Sequence, residues 1–224
     1  TIAEAHNEYT PLRVDLDLKI AVPMPTPATH GTHSVPPVIK RMYTDDMVEK
    51  VVRYYQNIIR EMVMPSAWSP MMAWCFVLEK ESPRVDGDFV KDGFHLHFPH
   101  FECEAWYQDN YIRDAAIAIM DSEGVWAGAL GCEKVDAKRC KEIVDPIAYK
   151  TWLMYGSAKT MEGEPFVVSK AFDENGDPLT VEEMFKDDPR VAGGNICLST
   201  LLAIRGCAAE NAPPLRPNVI RRKE

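Results

Sequence analysis

Residues 12–20 of the chain read LRVDLDLKI, and every second residue is apolar. Successive side chains of an extended chain alternate sides, so this stretch predicts a strand. Leu12, Val14, Leu16, Leu18 and Ile20 share one face; Arg13, Asp15, Asp17 and Lys19 share the other. After Thr44 the period lengthens to that of a helix, with Met47, Val48, Val51, Tyr55, Ile58, Ile59 and Met62 in one apolar stripe. Thr44 is placed to cap this helix, and Pro65 to stop it at about Met64. Prolines at 23, 25, 27, 36 and 37 predict an extended linker over 21–39, and His30 and His33 within it read as solvated loop histidines.

Further along, 72–80 (MAWCFVLEK) reads as a buried strand and 82–92 as a polar, Gly-containing loop. A second strand, 93–98 (GFHLHF), is expected to stop at Pro99. A helix follows over about 104–120, with Trp106, Ile112, Ala116, Ile119 and Met120 as its apolar positions. A turn and one or two short elements are expected in 138–159, and a strand over 166–172 that turns at Asn175-Gly176. Thr180 can cap a short helix, VEEMF, and 196–204 is an apolar element. Pro213, Pro214 and Pro217 lead into a basic tail, Arg221, Arg222 and Lys223. The order of strands and helices contains no βαβ nucleotide fingerprint, and there is no internal repeat.

Composition narrows the class. The 224 residues are 46% hydrophobic and 26% charged, ordinary values for a globular protein whose core supports itself without metal or disulfide staples. No apolar run approaches the roughly 20 residues that span a bilayer. The first ten residues are polar and lack the apolar run of a signal peptide, so an intracellular, non-secreted protein is expected. A net charge of −9 argues against a protein that coats nucleic acid through its overall charge, but leaves room for a local basic groove on an acidic body. The six cysteines, at 75, 103, 132, 140, 197 and 207, are irregularly spaced and read as reduced thiols. His100, Cys103, Cys132 and Cys140 do not have the spacing of a zinc ribbon or knuckle.

Three groups of residues carry candidate chemistry. Asp15 and Asp17 project from one strand face, where two carboxylates repel unless a cation lies between them. Hard oxygen ligands of this kind suit Mg²⁺ or Mn²⁺. The alternative is a solvated face of alternating charge, from Arg13 to Lys19. His95 and His97 are also two residues apart, opposite Phe94, Leu96 and Phe98, so both imidazoles are expected on one open sheet face. There they would contact a phosphate or relay a proton, unless backbone or water satisfies them. Asp145, Tyr149 and Tyr155-Gly156-Ser157-Ala158-Lys159 form the third group, with a hydroxyl and an ammonium two residues apart that can hold a phosphate chain.

The order of these features resembles the archaeo-eukaryotic primase superfamily, and within it the primase domain of primase-helicases from large DNA viruses, of poxvirus and giant-virus type; PrimPol is the next resemblance. The matching blocks are VDLD at 14–17, VLEK at 77–80, KDGFHLHFP at 91–99, VDPIAYKTWLMYGSAK at 144–159 and LSTLLAIRG at 198–206. The resemblance implies that Asp15, Asp17 and Asp145 are catalytic acids holding two Mg²⁺ or Mn²⁺ ions. It implies that His95 contacts phosphate of the incoming nucleotide, that Lys91, Ser157 and Lys159 hold the triphosphate, and that His97 and Lys80 lie beside these positions. Its partners would be a single-stranded DNA template or primer, nucleoside triphosphates, and a fused or associated helicase. The chain departs from the family in having only fourteen residues before Asp15, where relatives carry a template-binding module, and in Met154, where PrimPol-like relatives carry an arginine.

The expected fold is α+β: a primase catalytic core over 1–206, built on a small antiparallel RRM-like sheet with helices on one face and the active site on the other, then a Pro-rich, basic tail over 207–224. The expected activity is template-directed nucleotidyl transfer by a two-metal mechanism, with Arg41, Arg53 and Arg60 as candidates to flank the groove. A metal-dependent phosphoesterase or nuclease would share the carboxylates without needing Ser157 and Lys159. A non-catalytic nucleic-acid-binding module would show no dependence on divalent ions.

Overall fold

The computed structural model describes the chain apart from residues 1, 2, 6, 23–38, 134, 148, 149, 154, 162, 181, 182, 184–197, 205–207 and 224, and apart from the side chains of 199 and 200. Most of the proline-rich linker with His30 and His33, together with Tyr149, Met154, Cys197, Cys207 and most of the helix expected after Thr180, therefore lies outside the described residues.

Two long antiparallel strands form the hub. Strand β2 (Tyr9–Ala21) contains the alternating stretch, and β5 (Phe89–Glu104) pairs with it along nearly its whole length. A short β1 (Ala3–Glu4) precedes them in the chain. Strand β3 (Cys75–Glu79) lies on the other side of β5, followed outward by β8 (Val167–Phe172) and β9 (Pro178–Leu179). The two-residue β6 (Val144–Asp145) borders β2, and β4 (Arg84–Asp86) pairs with the start of β5. Every pairing is antiparallel. Outside this sheet, β1 pairs with β7 (Trp152–Leu153).

The sheet exceeds its expected size in two places. Residues 82–92 are not simply a loop: Arg84–Asp86 turns back through Gly87, at φ 60°, to pair with Phe89–Lys91. Asp86-Gly87 is the dipeptide that favours such a tight hairpin. Nor does Pro99 stop the second strand. It falls where the β2–β5 register slips, between the Leu12–Phe98 and Pro11–Glu102 pairs. A proline at such an irregularity removes no ladder hydrogen bond.

The apolar face of β2 and β5 is covered by helices. Helix α1 (Asp45–Met62) begins where Thr44 Oγ1 accepts a hydrogen bond from the Met47 amide at 3.3 Å, and it buries Val48, Val51, Val52, Tyr55, Ile58, Ile59 and Met62. The helix expected over about 104–120 is one continuous run of α2 (Ala105–Tyr107), a π-helical turn (Gln108–Ile112) and α3 (Arg113–Glu123), with α4 (Ala137–Ile143) beside it. Leu16, Leu18, Phe94, Leu96 and Phe98 meet these helices with no exposed surface. Each such side chain stabilises the fold by about 1.5–3 kcal/mol relative to exposure.

The segment read as a basic tail is docked on the body. Leu215 bridges to Val63, the Arg216 amide donates to Met62 O at 2.8 Å, and Val219 is wholly buried in the main core. The opposite sheet face carries a smaller apolar layer of Phe76, Leu78, Ala171, Leu201 and Leu202, and beyond it Ile147, Trp152 and Ile204. The Glu4 carboxylate ties this layer to the N-terminal segment by accepting from the Ile204 amide at 2.9 Å. The result is the expected α+β architecture, with helices on one face of an antiparallel sheet and a cleft on the other. Among the described residues no helix is long and apolar enough to cross a membrane.

Candidate active site

Strand register determines which side chains meet. Asp15 pairs with Asp145 on β6 at one side and His95 on β5 at the other, and His95 pairs in turn with Leu78 on β3. Partners across a ladder project from the same face, so Asp145, Asp15 and His95 form one row although far apart in sequence. The next row on that face holds Asp17 opposite Gly93. A Cβ on residue 93 would lie 2.1 Å from Leu16 O and 3.3 Å from the Asp17 Cα. Only glycine permits this close approach, and its lack of a side chain leaves the space beside Asp17 open.

The row is electrostatically graded. His95 Nε2 lies 3.2 Å from Asp15 Oδ1, and Lys150 Nζ lies 3.0 Å from Asp145 Oδ2. Burial alone would raise the pKa of Asp15, but His95, and beyond it Lys159 and Lys150, hold it below the ordinary carboxylate value. Asp17 is shifted the other way: burial, then the charges of Asp15 and Asp145, push its pKa up. Three carboxylates thus converge with too little positive charge between them. Asp15 Oδ1 is moreover buried without a hydrogen bond of regular geometry. This donor set fits a hard divalent cation. Among the described residues, no three of these groups are already drawn to ligand spacing. Instead Asp15 is turned to His95, and Asp145 to Lys150.

A cleft opens over the row. It is lined by Asp15, Asp17, Asp145 and His95, and also by Lys91, Ser157 and Lys159. These seven residues singled out in the sequence therefore share one concave surface, and Lys80 joins them. His97 does not. It has no exposed surface, in a row with Arg13 and Phe76, and Trp152 covers that row with the Arg13 guanidinium 5.2 Å from its ring. The expectation of two imidazoles on one open face thus fails at residue 97, because the smaller apolar layer closes the sheet there.

Arg41, Arg53 and Arg60 do not line the cleft either. Arg41 pairs with Asp92 at 3.2 Å and donates to Lys80 O at 2.7 Å. Arg53 donates to Gly176 O at 3.1 Å, and Arg60 to Glu174 O at 2.8 Å, so these two pin the β8–β9 turn to α1. Their positions on the polar face of α1 resemble those of a groove-lining arginine, and only the tertiary contacts distinguish the two.

Beside Lys80, which the sequence had named, other cleft residues gave little signal. Phe166 stacks on His95 with ring centroids 3.6 Å apart and planes at 25°, and Trp152 stands 4.7 Å away. The Lys80 ammonium lies 4.9 Å from the centre of the Phe166 ring. Burial, then Arg84 and Lys159 nearby, lower the Lys80 pKa. Arg84, Lys80, Lys91 and Lys159 therefore add a cationic stretch to the wall of the cleft that holds the acids. Arg84 was hidden because its strand read as a loop, and Phe166 because it looked like the start of an ordinary strand.

The family model described as the C962R protein N-terminal AEP domain matches residues 1–172. Among curated proteins, the chain is 29% identical over 204 residues to the putative helicase 184R of Invertebrate iridescent virus 6, covering 88% of this chain and 20% of that protein. It is 27% identical over 188 residues to the putative helicase 121R of Invertebrate iridescent virus 3, covering 84% and 19%. A putative helicase of Acanthamoeba polyphaga mimivirus, L207/L206, is 29% identical over 174 residues, covering 76% and 16%. The chain spans a fifth or less of the length of these relatives.

Proposed function

We propose that this chain, which belongs to the archaeo-eukaryotic primase (AEP) domain family, catalyses template-directed nucleotidyl transfer from nucleoside triphosphates on single-stranded DNA. The observation that carries the reading is the ladder row Asp145–Asp15–His95, set in one cleft with a cationic wall. Acids alone would serve a nuclease or phosphatase equally well. Lys91, Ser157 and Lys159 in the same cleft favour a substrate with a polyphosphate tail.

In this reading Asp15, Asp17 and Asp145 hold two Mg²⁺ or Mn²⁺ ions. Bound there, the ions supply a lowered pKa for the attacking 3′-hydroxyl and charge neutralisation at the leaving pyrophosphate. The protein's own work is positioning and electrostatics. Lys91, Ser157 and Lys159 orient the triphosphate. His95, braced between Asp15 and the Phe166 ring, presents its imidazole to a phosphate oxygen. Gly93 keeps the floor of the cleft clear beside Asp17. His97 lies on the same sheet face, in the covered row next to that of His95, in a supporting position.

The relatives carry helicase names and are more than four times as long, so we place the domain in a larger viral-type replication protein, with a helicase fused to it or associated with it. The test is primer extension and primer synthesis on single-stranded DNA with Mn²⁺ or Mg²⁺. Asp15→Ala/Asp17→Ala should keep its circular dichroism spectrum and lose incorporation by at least about a thousandfold. Full incorporation by this variant overturns the reading.

A further inference from the structure

Two ladder steps from the acidic row, the same sheet face carries a row of another character. Lys19 on β2 pairs with Lys91 on β5, and Lys91 pairs with Arg84 on β4. Three cations thus stand side by side, about 4.8 Å apart from strand to strand. Like charges directly opposed across a ladder destabilise a sheet, so the row costs stability that it does not recover by itself. One acid answers it: Asp86 forms an ion pair with Lys91, and its carboxyl is held low first by that lysine and then by Arg84 and Lys19. The Arg84 side chain makes no hydrogen bond or ion pair among the described residues. The Lys19 ammonium lies over the Phe89 ring, 3.9 Å from its centre. Phe89 is next along β5 on this face and is 39% exposed, one of the few large apolar side chains left in solvent. Lys91 and Arg84 also line the active-site cleft, so the row continues the cleft outward across the sheet.

We propose that Lys19, Arg84 and Phe89 form a docking surface for single-stranded nucleic acid, leading the strand past Lys91 into the cleft. The inference rests on the nucleotidyl-transfer reading for its direction, but its chemistry stands on the surface itself. Cations in a row that a single acid only partly balances meet backbone phosphates, and an exposed aromatic ring among them offers a stacking face to a base. On a chain of net charge −9, such a patch is where a polyanion is drawn. Lys91, tied to Asp86, is left to the nucleotide.

The test is fluorescence anisotropy of the whole chain with a labelled oligothymidine, titrated between about 50 and 200 mM salt. Lys19→Ala/Arg84→Ala should weaken binding about tenfold at the low-salt end. It should also flatten the slope of log affinity against log salt by about 1.4, the loss of two phosphate contacts on a single strand. Phe89→Ala should weaken binding about tenfold with the slope unchanged, and Phe89→Trp should restore it. A misfolded variant would not reproduce this pair of signatures, because both variants would then lose affinity in the same way. The proposal is overturned if the parent chain does not bind the oligonucleotide. It is equally overturned if the variants bind within twofold of the parent, or if the double variant loses affinity with an unchanged slope. Asp15→Ala/Asp17→Ala separates the two readings. If the surface signatures appear but the parent incorporates no nucleotide, the docking surface stands and the proposed chemistry falls. If incorporation depends on the acids while the surface variants bind normally, the reverse holds.

Discussion

His95 Nε2 stands 3.2 Å from Asp15 Oδ1 because the two residues are direct partners across the β2–β5 ladder. The stack of Phe166 on the imidazole, 3.6 Å between centroids, removes most of the ring's freedom to turn away. A donor fixed in this way stabilises charge that develops on a phosphate without reorganising at the moment of reaction. His95→Ala is therefore expected to lower kcat/KM for nucleotide incorporation by about a hundredfold to a thousandfold. Steady-state incorporation, with circular dichroism as the check on folding, measures this. A loss under threefold would show that the imidazole is not in contact with the reacting phosphates.

Gly93 tests the floor of the cleft. A methyl group there would meet the Leu16 carbonyl oxygen at 2.1 Å, and that atom is backbone of a residue with no exposed surface. No rotamer change relieves the clash, so β2 and β5 must separate where Asp17 is held. Gly93→Ala is expected to destabilise the fold by about 3 kcal/mol, at the upper end of overpacking costs. Urea denaturation monitored by tryptophan fluorescence reads the midpoint. An unchanged midpoint would mean that the strand pairing here is looser than the register indicates.

Much of this site can be read from alternation alone. The period of two in β2 places Asp15 and Asp17 on one face, and the helical stripe after Thr44 identifies what covers the other face. What alternation does not reveal is how far a face stays open. His95 and His97 are equivalent in the pattern of β5, yet only His95 reaches the cleft, because residues more than fifty positions away, Trp152 among them, fold over the row of His97 and Arg13. The same limit applies to Arg53 and Arg60, which look like free surface cations on α1 until the β8–β9 turn docks on them. Arg84 was hidden for a local reason: a three-residue strand beside Asp86-Gly87 is too short to show a period.

Lys150 holds Asp145 at 3.0 Å, through a side chain that is 54% exposed. A divalent ion drawn to the Asp145 carboxylate competes with this ammonium for it. Lys150→Ala is therefore expected to bind Mn²⁺ about fivefold more tightly, recovering the roughly 1 kcal/mol that an exposed ion pair contributes. The Mn²⁺ dependence of the melting temperature reports the affinity without any need for turnover. Weaker binding by the variant would show that Lys150 supports the ion site rather than competes with it.

Glu79 makes the last case, away from the cleft. Its carboxylate accepts from the Tyr43 hydroxyl at 2.8 Å, from Lys170 Nζ at 2.9 Å and from the Ser169 hydroxyl, and so joins β3 and β8 to the segment that leads into α1. Burial opposes its ionisation, but hydrogen bonds from Ser169, Lys170 and Tyr43 outweigh burial and hold the carboxyl below the 4.5 of an ordinary glutamate. The folded protein thus binds this proton less readily than the unfolded chain. The stability gained is complete above pH 4.5 and is lost as pH falls through the lower folded value. Asp92, whose carboxyl burial pushes up, has the opposite sign, and comparing parent with variant at each pH largely cancels it. Glu79→Gln is expected to cost about 2 kcal/mol at neutral pH, as befits hydrogen bonds to a charged group. The gap in melting temperature between the two proteins should narrow steadily below pH 4.5. A gap of equal size at neutral and acid pH would mean that Glu79 acts through its shape and not through its charge.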